Sequence, residues 1–313
     1  MLNRRQIRIK IYQLLFAYYS EKKPDVVLYE KMMHQSFERF RDLYLLYLVL
    51  ISELQSLAIE KIEVGKNKRL PSREDLHPNT KFVANSLLRM LVNSKHLERE
   101  AKERTLSFVD NPDLTKQVFK ALLETPEYNE YMESKERGFN HDKEHLVRFF
   151  KRHIINVENL QDYLEERNIF WVDDMDHAAS MVLKTLKAAK EEEDDLKLLP
   201  LWKEDDDDKD FTLQLWRKTL SLGEESEKLI AAAATNWETD RIALTDMILM
   251  KMAIAEVQTF DQVPTKVTMN EYIELSKYYS TPKSSTFING VLDQLFTTLQ
   301  EKGVINKVGR GLI

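Results

Sequence analysis

Cysteine is absent from the 313 residues, and glycine and proline occur only 7 and 8 times. Without cysteine there is no disulfide framework, no thiolate zinc site and no cysteine nucleophile, and a reducing compartment fits. The shortage of glycine and proline removes most of the turn chemistry that a chain of short strands needs. Apolar residues instead recur at three- and four-residue spacing among Leu, Lys and Glu, which predicts an all-α protein. No apolar run is read as long enough to cross a bilayer, and the N-terminus lacks a signal-like apolar core with a small-residue cleavage site. A cytoplasmic protein is expected. An organelle transit peptide is the alternative, because residues 1–19 carry no acid. The formal net charge of −6 argues against a protein that is basic throughout, but not against a local basic site. At this length a sizeable core can be buried, in one expanded domain or in two modules.

The most informative stretch runs from Asn236 to Leu295. Between Asp240 and Gln258 apolar residues occupy nearly every angle of a helical wheel, which predicts a helix surrounded by other helices. Asp246, Lys251 and Glu256 interrupt that apolar cylinder. Burying Lys251 unpaired is costly, so it either meets an acid or emerges at an edge where a ligand binds. After Pro264, the run Thr268-Met269-Asn270-Glu271 reads as a reciprocal cap opening a helix from Met269 to Tyr279. Pro282, Ser284 and Ser285 then break that helix and supply hydroxyl caps for another, beginning near Phe287.

The order NW, DRIALTDMILMKMAIAE, VPTKVTMNEYIELSKYYS, TFINGVLDQL resembles the C-terminal half of the NusB family of bacterial transcription antitermination factors. The likeness extends over about a third of the chain and keeps both motifs and spacing. It implies a NusB-like helical bundle with an expanded N-terminal part, no catalysis, and no cofactor or metal. It further implies binding of a single-stranded boxA-like element in nascent ribosomal RNA, together with NusE, a small-subunit ribosomal protein, in the antitermination complex of RNA polymerase. On that resemblance Lys251 matches a commonly basic place near the RNA surface, and Phe287 an aromatic place where a ring can stack on a base. Asp240 and Asp246 match acids of the NusE contact surface, where carboxylates suit a basic partner.

Residues 3–19 predict one helix with two apolar stripes: Ile7, Ile11, Leu14 and Tyr18 on one side, and Ile9, Tyr12, Phe16 and Tyr19 on the other. Phe16 is the candidate for contact with another protein. Arg4, Arg5, Arg8 and Lys10 cluster at the start of this helix, where the dipole favours acids, so a polyanion partner would explain them and the resemblance points to RNA. They match the arginine-rich helix with which the family begins, although isoleucine stands here for the family's small residues.

A long amphipathic helix is predicted from after Pro24 to about Ile62, followed by a basic, breaker-rich loop from Gly65 to Pro78 that could add phosphate contacts. Further helices, broken near Asn111-Pro112, Pro126 and Gly138, fill Asn79 to Ala189. Within them His141-Asp142-Lys143-Glu144-His145 fits the inverted zinc-peptidase pattern, yet no third ligand is identifiable, so no metal is assigned. At least part of the segment 191–210, two acidic blocks around Leu198-Leu199-Pro200-Leu201-Trp202, reads as a solvated linker or excursion held away from the basic surface, with the apolar centre able to dock locally.

The expected organisation is therefore 1–190 for the basic helix and divergent helical region, 191–210 for the acidic excursion, 211–303 for the NusB-like domain and 304–313 for a tail. Two other readings stand beside this one. An RNA-modifying enzyme is disfavoured by the absence of a glycine-rich strand-to-helix cofactor loop and of a cysteine nucleophile. A helical protein-interaction scaffold without specific RNA binding would leave the basic cluster dispensable.

Overall fold

The computed structural model describes residues 1–203, 205–234 and 242–312, with Asp205 and Arg310 described by backbone alone. Among the described residues there are fifteen α-helices and no strand. They form two compact units, Met1–His34 with Leu201–Ile313, and Gln35–Pro200. The first 34 residues thus belong with the C-terminal third of the chain.

The first unit contains α1 (Arg4–Ser20), the start of α2 (Val26–Lys66), α11 (Asp205–Ser221), α12 (Gly223–Ala233), α13 (Leu244–Thr259), α14 (Thr265–Tyr279) and α15 (Ser284–Glu301). Helix α13 is the central rod. Every residue from Ile248 to Val257 is buried, and α1, α11, α12, α14 and α15 all pack on it. A helix apolar on all sides is stable only inside such a ring.

Helix α1 starts where Asn3 Oδ1 accepts from the backbone N–H groups of Arg5 and Gln6, which satisfies two of the donors a helix start leaves open. Ile7, Ile11, Leu14 and Leu15 turn inward, while Phe16 on the opposite stripe stays 41% exposed. Trp216 of α11 closes the far side of this core, stacked on Tyr29 at 6.5 Å and edge-on to Tyr18 at 6.1 Å.

Three local expectations are corrected. Helix α14 begins at Thr265, a turn before the expected Thr268–Glu271 cap. Thr268 instead donates to buried Glu256 at 2.8 Å, because a buried carboxylate competes for its hydroxyl more strongly than a helix end, and Glu271 accepts from the Arg5 guanidinium. Helix α15 starts at Ser284 without a side-chain cap, since the Ser284 hydroxyl is given to Asp246. The second acidic block is not part of a linker: residues from Asp205 onward build the first turns of α11, where carboxylates are favoured by the helix dipole.

The second unit holds the rest of α2, then α3 (Arg73–Leu76), α4 (Ser86–Val92), α5 (Lys95–Glu103), α6 (Pro112–Leu123), α7 (Pro126–Glu133), α8 (Phe139–Arg152), α9 (Glu158–Arg167) and α10 (Met175–Ala188). Its helices start where the sequence breaks: Asn111 and Thr125 cap α6 and α7 ahead of a proline in the first turn, and Gly138, at φ 118°, turns the chain into α8. Helix α2 is also a correction. By length and composition it is apolar enough to span a bilayer, but 72% of that window is buried inside the structure. The end of the first acidic block and Leu199 of the apolar centre after it dock on this unit, although Leu198, Leu199 and Pro200 are not buried. Leu196 is fully buried, Asp195 pairs with His96 at 2.8 Å, and the Leu199 N–H donates to the Tyr44 hydroxyl at 3.2 Å.

Leu46 is fully buried on α2 within this second unit. Leu46→Ala is expected to cost about 2–5 kcal/mol, from lost transfer energy and the cavity left behind. Urea unfolding followed by circular dichroism should show the loss as a shifted midpoint.

Candidate nucleic-acid interface

The basic start of α1 lies against α13, α14 and α11, and each described arginine there faces an acid. Arg8 is buried, 3% exposed, and its Nε and Nη2 both donate to Glu256 at 2.7 Å. Glu256, wholly buried on α13, also accepts from Thr268 at 2.8 Å and from the Tyr272 hydroxyl at 3.0 Å. Four donors match the roughly four lone-pair directions of a carboxylate, so the group is fully satisfied. Burial pushes the Tyr272 hydroxyl well above its usual range, which keeps it a donor.

Arg5 is more exposed and makes a two-pronged pair with Glu271 of α14, at 2.9 and 2.8 Å. The Arg5 hydrogen bond, reinforced by the charge of Arg8, holds the Glu271 carboxyl below the usual range against the opposing effect of burial. Arg4 keeps 40% of its side chain exposed, stacks over Phe211 at 4.9 Å and stands 4.0 Å from Asp208. The acidic block thus meets the basic end of α1 instead of standing away from it. The charges are complementary: Asp208 is buried at the N-terminal part of α11, beside an arginine.

The remaining expected residues divide. Lys10 is 2% exposed, inside the unit. Lys251 is 3% exposed; its ammonium donates to Glu227 of α12 at 2.6 Å and sits 4.5 Å from the Tyr19 ring centre. Of the two alternatives read from the sequence, the acid partner is the one observed. Arg8, Lys10 and Lys251, expected at an RNA surface, are therefore internal in this structure.

Asp246 is buried as well and accepts from Ser280 at 2.5 Å and from Ser284 at 2.8 Å, tying the α14–α15 turn to the start of α13. An acid matched by resemblance to the NusE contact surface is thus engaged inside the unit. Asp240 lies outside the described residues. Phe287 is half-buried in the first turn of α15. It belongs to the Asp246 end of α13, whereas Arg4, Arg5 and Arg8 gather at the Glu256 end, ten residues or about 15 Å along the helix axis. The structure thus groups the arginines and leaves Phe287 apart from them. The acids that receive the arginines, Glu256 and Glu271, were not assigned that role from the sequence. Their only signal was a carboxylate inside an apolar cylinder, in the case of Glu256.

The histidine motif of the second unit is structural. Asp142 of α8 accepts from Ser86 and from the Tyr131 hydroxyl at 2.8 Å, His145 is buried against the Tyr131 ring, and Glu144 faces solvent. Among the described residues no three His, Asp or Glu side chains gather as metal ligands.

With this geometry in place, comparison with known proteins is decisive. The NusB family model matches residues 174–296. The transcription antitermination protein NusB of Salinibacter ruber is 43% identical over 143 residues, covering 44% of this chain and 89% of that protein. The chain belongs to the NusB family. Proteins of the same name from Chloroherpeton thalassium and Natranaerobius thermophilus are 45% and 40% identical over 105 and 75 residues, covering 34% and 24% of this chain and 50% and 54% of theirs. No solved structure matches the chain. The family match includes α10 and α11 to α15, so the NusB signature covers most of the first unit and only the last helix of the second.

Two outcomes follow from this ion-pair network. Glu256→Ala strands the Arg8 guanidinium in the core and is expected to cost about 3–5 kcal/mol, whereas Arg8→Met with Glu256→Leu should be far milder; chemical denaturation of the native chain and these two variants measures the difference. Glu271 has a lowered folded-state pKa, so its stabilisation is complete above the unfolded carboxyl value and disappears as the pH falls through the folded one. The stability gap between the native chain and Glu271→Gln should accordingly be constant near neutrality and close below about pH 4, as read by thermal melts across pH.

Proposed function

We propose that the chain is a noncatalytic RNA-binding antitermination factor of the cytoplasm that holds RNA through the exposed part of the α1 basic end. The observation that carries this reading is the sorting of the arginines in a NusB-family fold: Arg8 is sequestered with Glu256, while Arg4 and Arg5 remain 40% and 47% exposed at the same helix start. The guanidinium side of each pair is open to solvent, so a phosphate can bind Arg4 and Arg5 there while Asp208 and Glu271, mostly covered, stay behind them. Phe287 offers a ring for an unpaired base at a separate point on the unit. Phe16, exposed on α1, is the apolar group available to a protein partner. By family likeness the RNA is a boxA-like single strand of nascent ribosomal RNA, and the partner is NusE within the RNA polymerase antitermination complex. A second RNA-binding protein on the same strand raises affinity through added contacts and effective concentration.

One observation favours the scaffold reading: all three arginines already have acid partners, which lowers the net charge that an RNA meets. The two readings separate in a salt series. Binding of the full chain to a boxA-like RNA and to a scrambled strand, with and without NusE, is compared with Arg4→Gln/Arg5→Gln. The RNA reading expects selective binding strengthened by NusE, and a salt slope smaller by about 0.7 for each phosphate contact removed. An unchanged slope and affinity in a folded double variant would remove the arginines from the interface, and no RNA binding even with NusE would leave the scaffold.

A further inference from the structure

The second unit carries a pocket that the antitermination reading does not use. It is a cavity of about 380 Å³ between three helices. Ala58, Ile62 and Gly65 from α2, Phe119 and Leu123 from α6, and Tyr128 and Met132 from α7 line its wall at one-turn spacings, so each helix presents a single face to it. Its size is that of a small-molecule site, with an apolar wall and a rim carrying Lys61, Lys68, Ser72, Glu74, Asp75 and Asn79.

The rim is preorganised by the segment that follows α2. Ser72 and Asp75 cap α3 reciprocally, and Lys68 binds the same Asp75 carboxylate at 2.8 Å. The carboxylate lies so near α2 that a Cβ on Gly65 would meet Asp75 Oδ1 at 2.8 Å. Only glycine lets α3 close against the end of α2 there without displacing Asp75. Asn79 is committed too, donating to the Met132 carbonyl at 2.8 Å and accepting from the Lys81 N–H at 3.0 Å.

Two donors remain uncommitted. Lys61, one turn from Gly65 on the pocket-lining face of α2, has no acid partner among the described residues. The Tyr128 hydroxyl has no hydrogen-bond partner there either, although its ring is held by Phe82 at 5.5 Å and Phe149 at 6.0 Å. Burial pushes that hydroxyl up to about 12, so it stays a donor throughout the physiological range. Against these two donors stands one unpaired acid on the rim, Glu74.

From this arrangement we infer that the pocket between α2, α6 and α7 binds a small aromatic carboxylate, its ring against Ile62, Phe119, Leu123 and Met132 and its carboxylate between Lys61 and the Tyr128 hydroxyl. The apolar wall takes the ring and excludes water from it. The uncommitted ammonium and phenol select a negatively charged acceptor over a neutral one, because charge-assisted hydrogen bonds are about twice as strong as neutral ones. Glu74 sets a limit on affinity that its neutralisation lifts.

Isothermal titration of the full chain with indole-3-propionate, and with its uncharged amide as the control, tests this. The expected result is saturable binding of the acid, weakened about ten-fold or more by Lys61→Glu and several-fold by Tyr128→Phe, in line with the loss of one charge-assisted and one neutral hydrogen bond. Glu74→Gln should tighten it. Lys61 and Glu74 are exposed, so neither substitution threatens the fold. Absence of binding to the native chain, equal affinity for acid and amide, or indifference to Lys61→Glu would each overturn the assignment. The RNA titrations do not involve these residues, so the two readings fail separately.

Discussion

The ion pair between Arg8 and Glu256 is the constraint on which the first unit depends. Both groups are withdrawn from water, and a buried pair of this kind is weak evidence of net stability because desolvation offsets most of the attraction. What it does supply is position. Glu256 gathers donors from α1 and from two successive turns of α14, so the three helices can meet in one register only. Sliding α1 by one turn would leave a guanidinium and a carboxylate buried and unpaired, at a cost of several kcal/mol. The same device recurs at the other end of α13, where Asp246 collects the hydroxyls of Ser280 and Ser284, and on its flank, where Lys251 meets Glu227. The three charges that interrupt the apolar cylinder are the three points at which neighbours are fixed to it.

This explains which parts were legible in the sequence. Helix existence was, because apolar periodicity is a property of a single segment and survives without its partners: α1, α2 and α13 to α15 all appear near their expected places. Burial of an apolar rod such as α13 follows in the same way. Partner choice was not legible. Arg8 and Glu256 are 248 residues apart, and nothing local distinguishes an arginine that faces solvent from one that faces a carboxylate. The misread cap at Thr268 has the same origin, since its hydroxyl could serve a helix start or a distant acid, and only the folded arrangement decides.

The second acidic block was misread for a related reason, while the first lies outside any helix with Glu191, Glu192 and Asp194 exposed. The charge density of the second argued for solvation, yet Asp205–Ser221 is one helix, and Asp208 sits beside Arg4. Repulsion within a run of aspartates is offset when the run occupies a helix N-terminus and faces a cation. Charge runs read as disordered when their partners lie far away in the sequence. The second unit shows the opposite case: its helix starts were legible because Asn111, Thr125 and Gly138 act on their own neighbours.

The distribution of exposure among the three arginines has a consequence for how a nucleic acid is held. On the proposed RNA reading, a phosphate approaching α1 meets the exposed guanidinium edges of Arg4 and Arg5, while Asp208 and Glu271 behind them stay mostly covered. It does not compete for Arg8, whose release would expose Glu256 and two further donors in the core. On that reading binding would engage Arg4 and Arg5 and leave the internal Arg8–Glu256 pair intact, so the helix that presents the charges keeps its place. The neighbouring carboxylates would also repel a second phosphate at the same spot, which would limit non-specific accumulation of polyanions on an acidic protein. A basic cluster that was fully unpaired would attract more strongly and discriminate less.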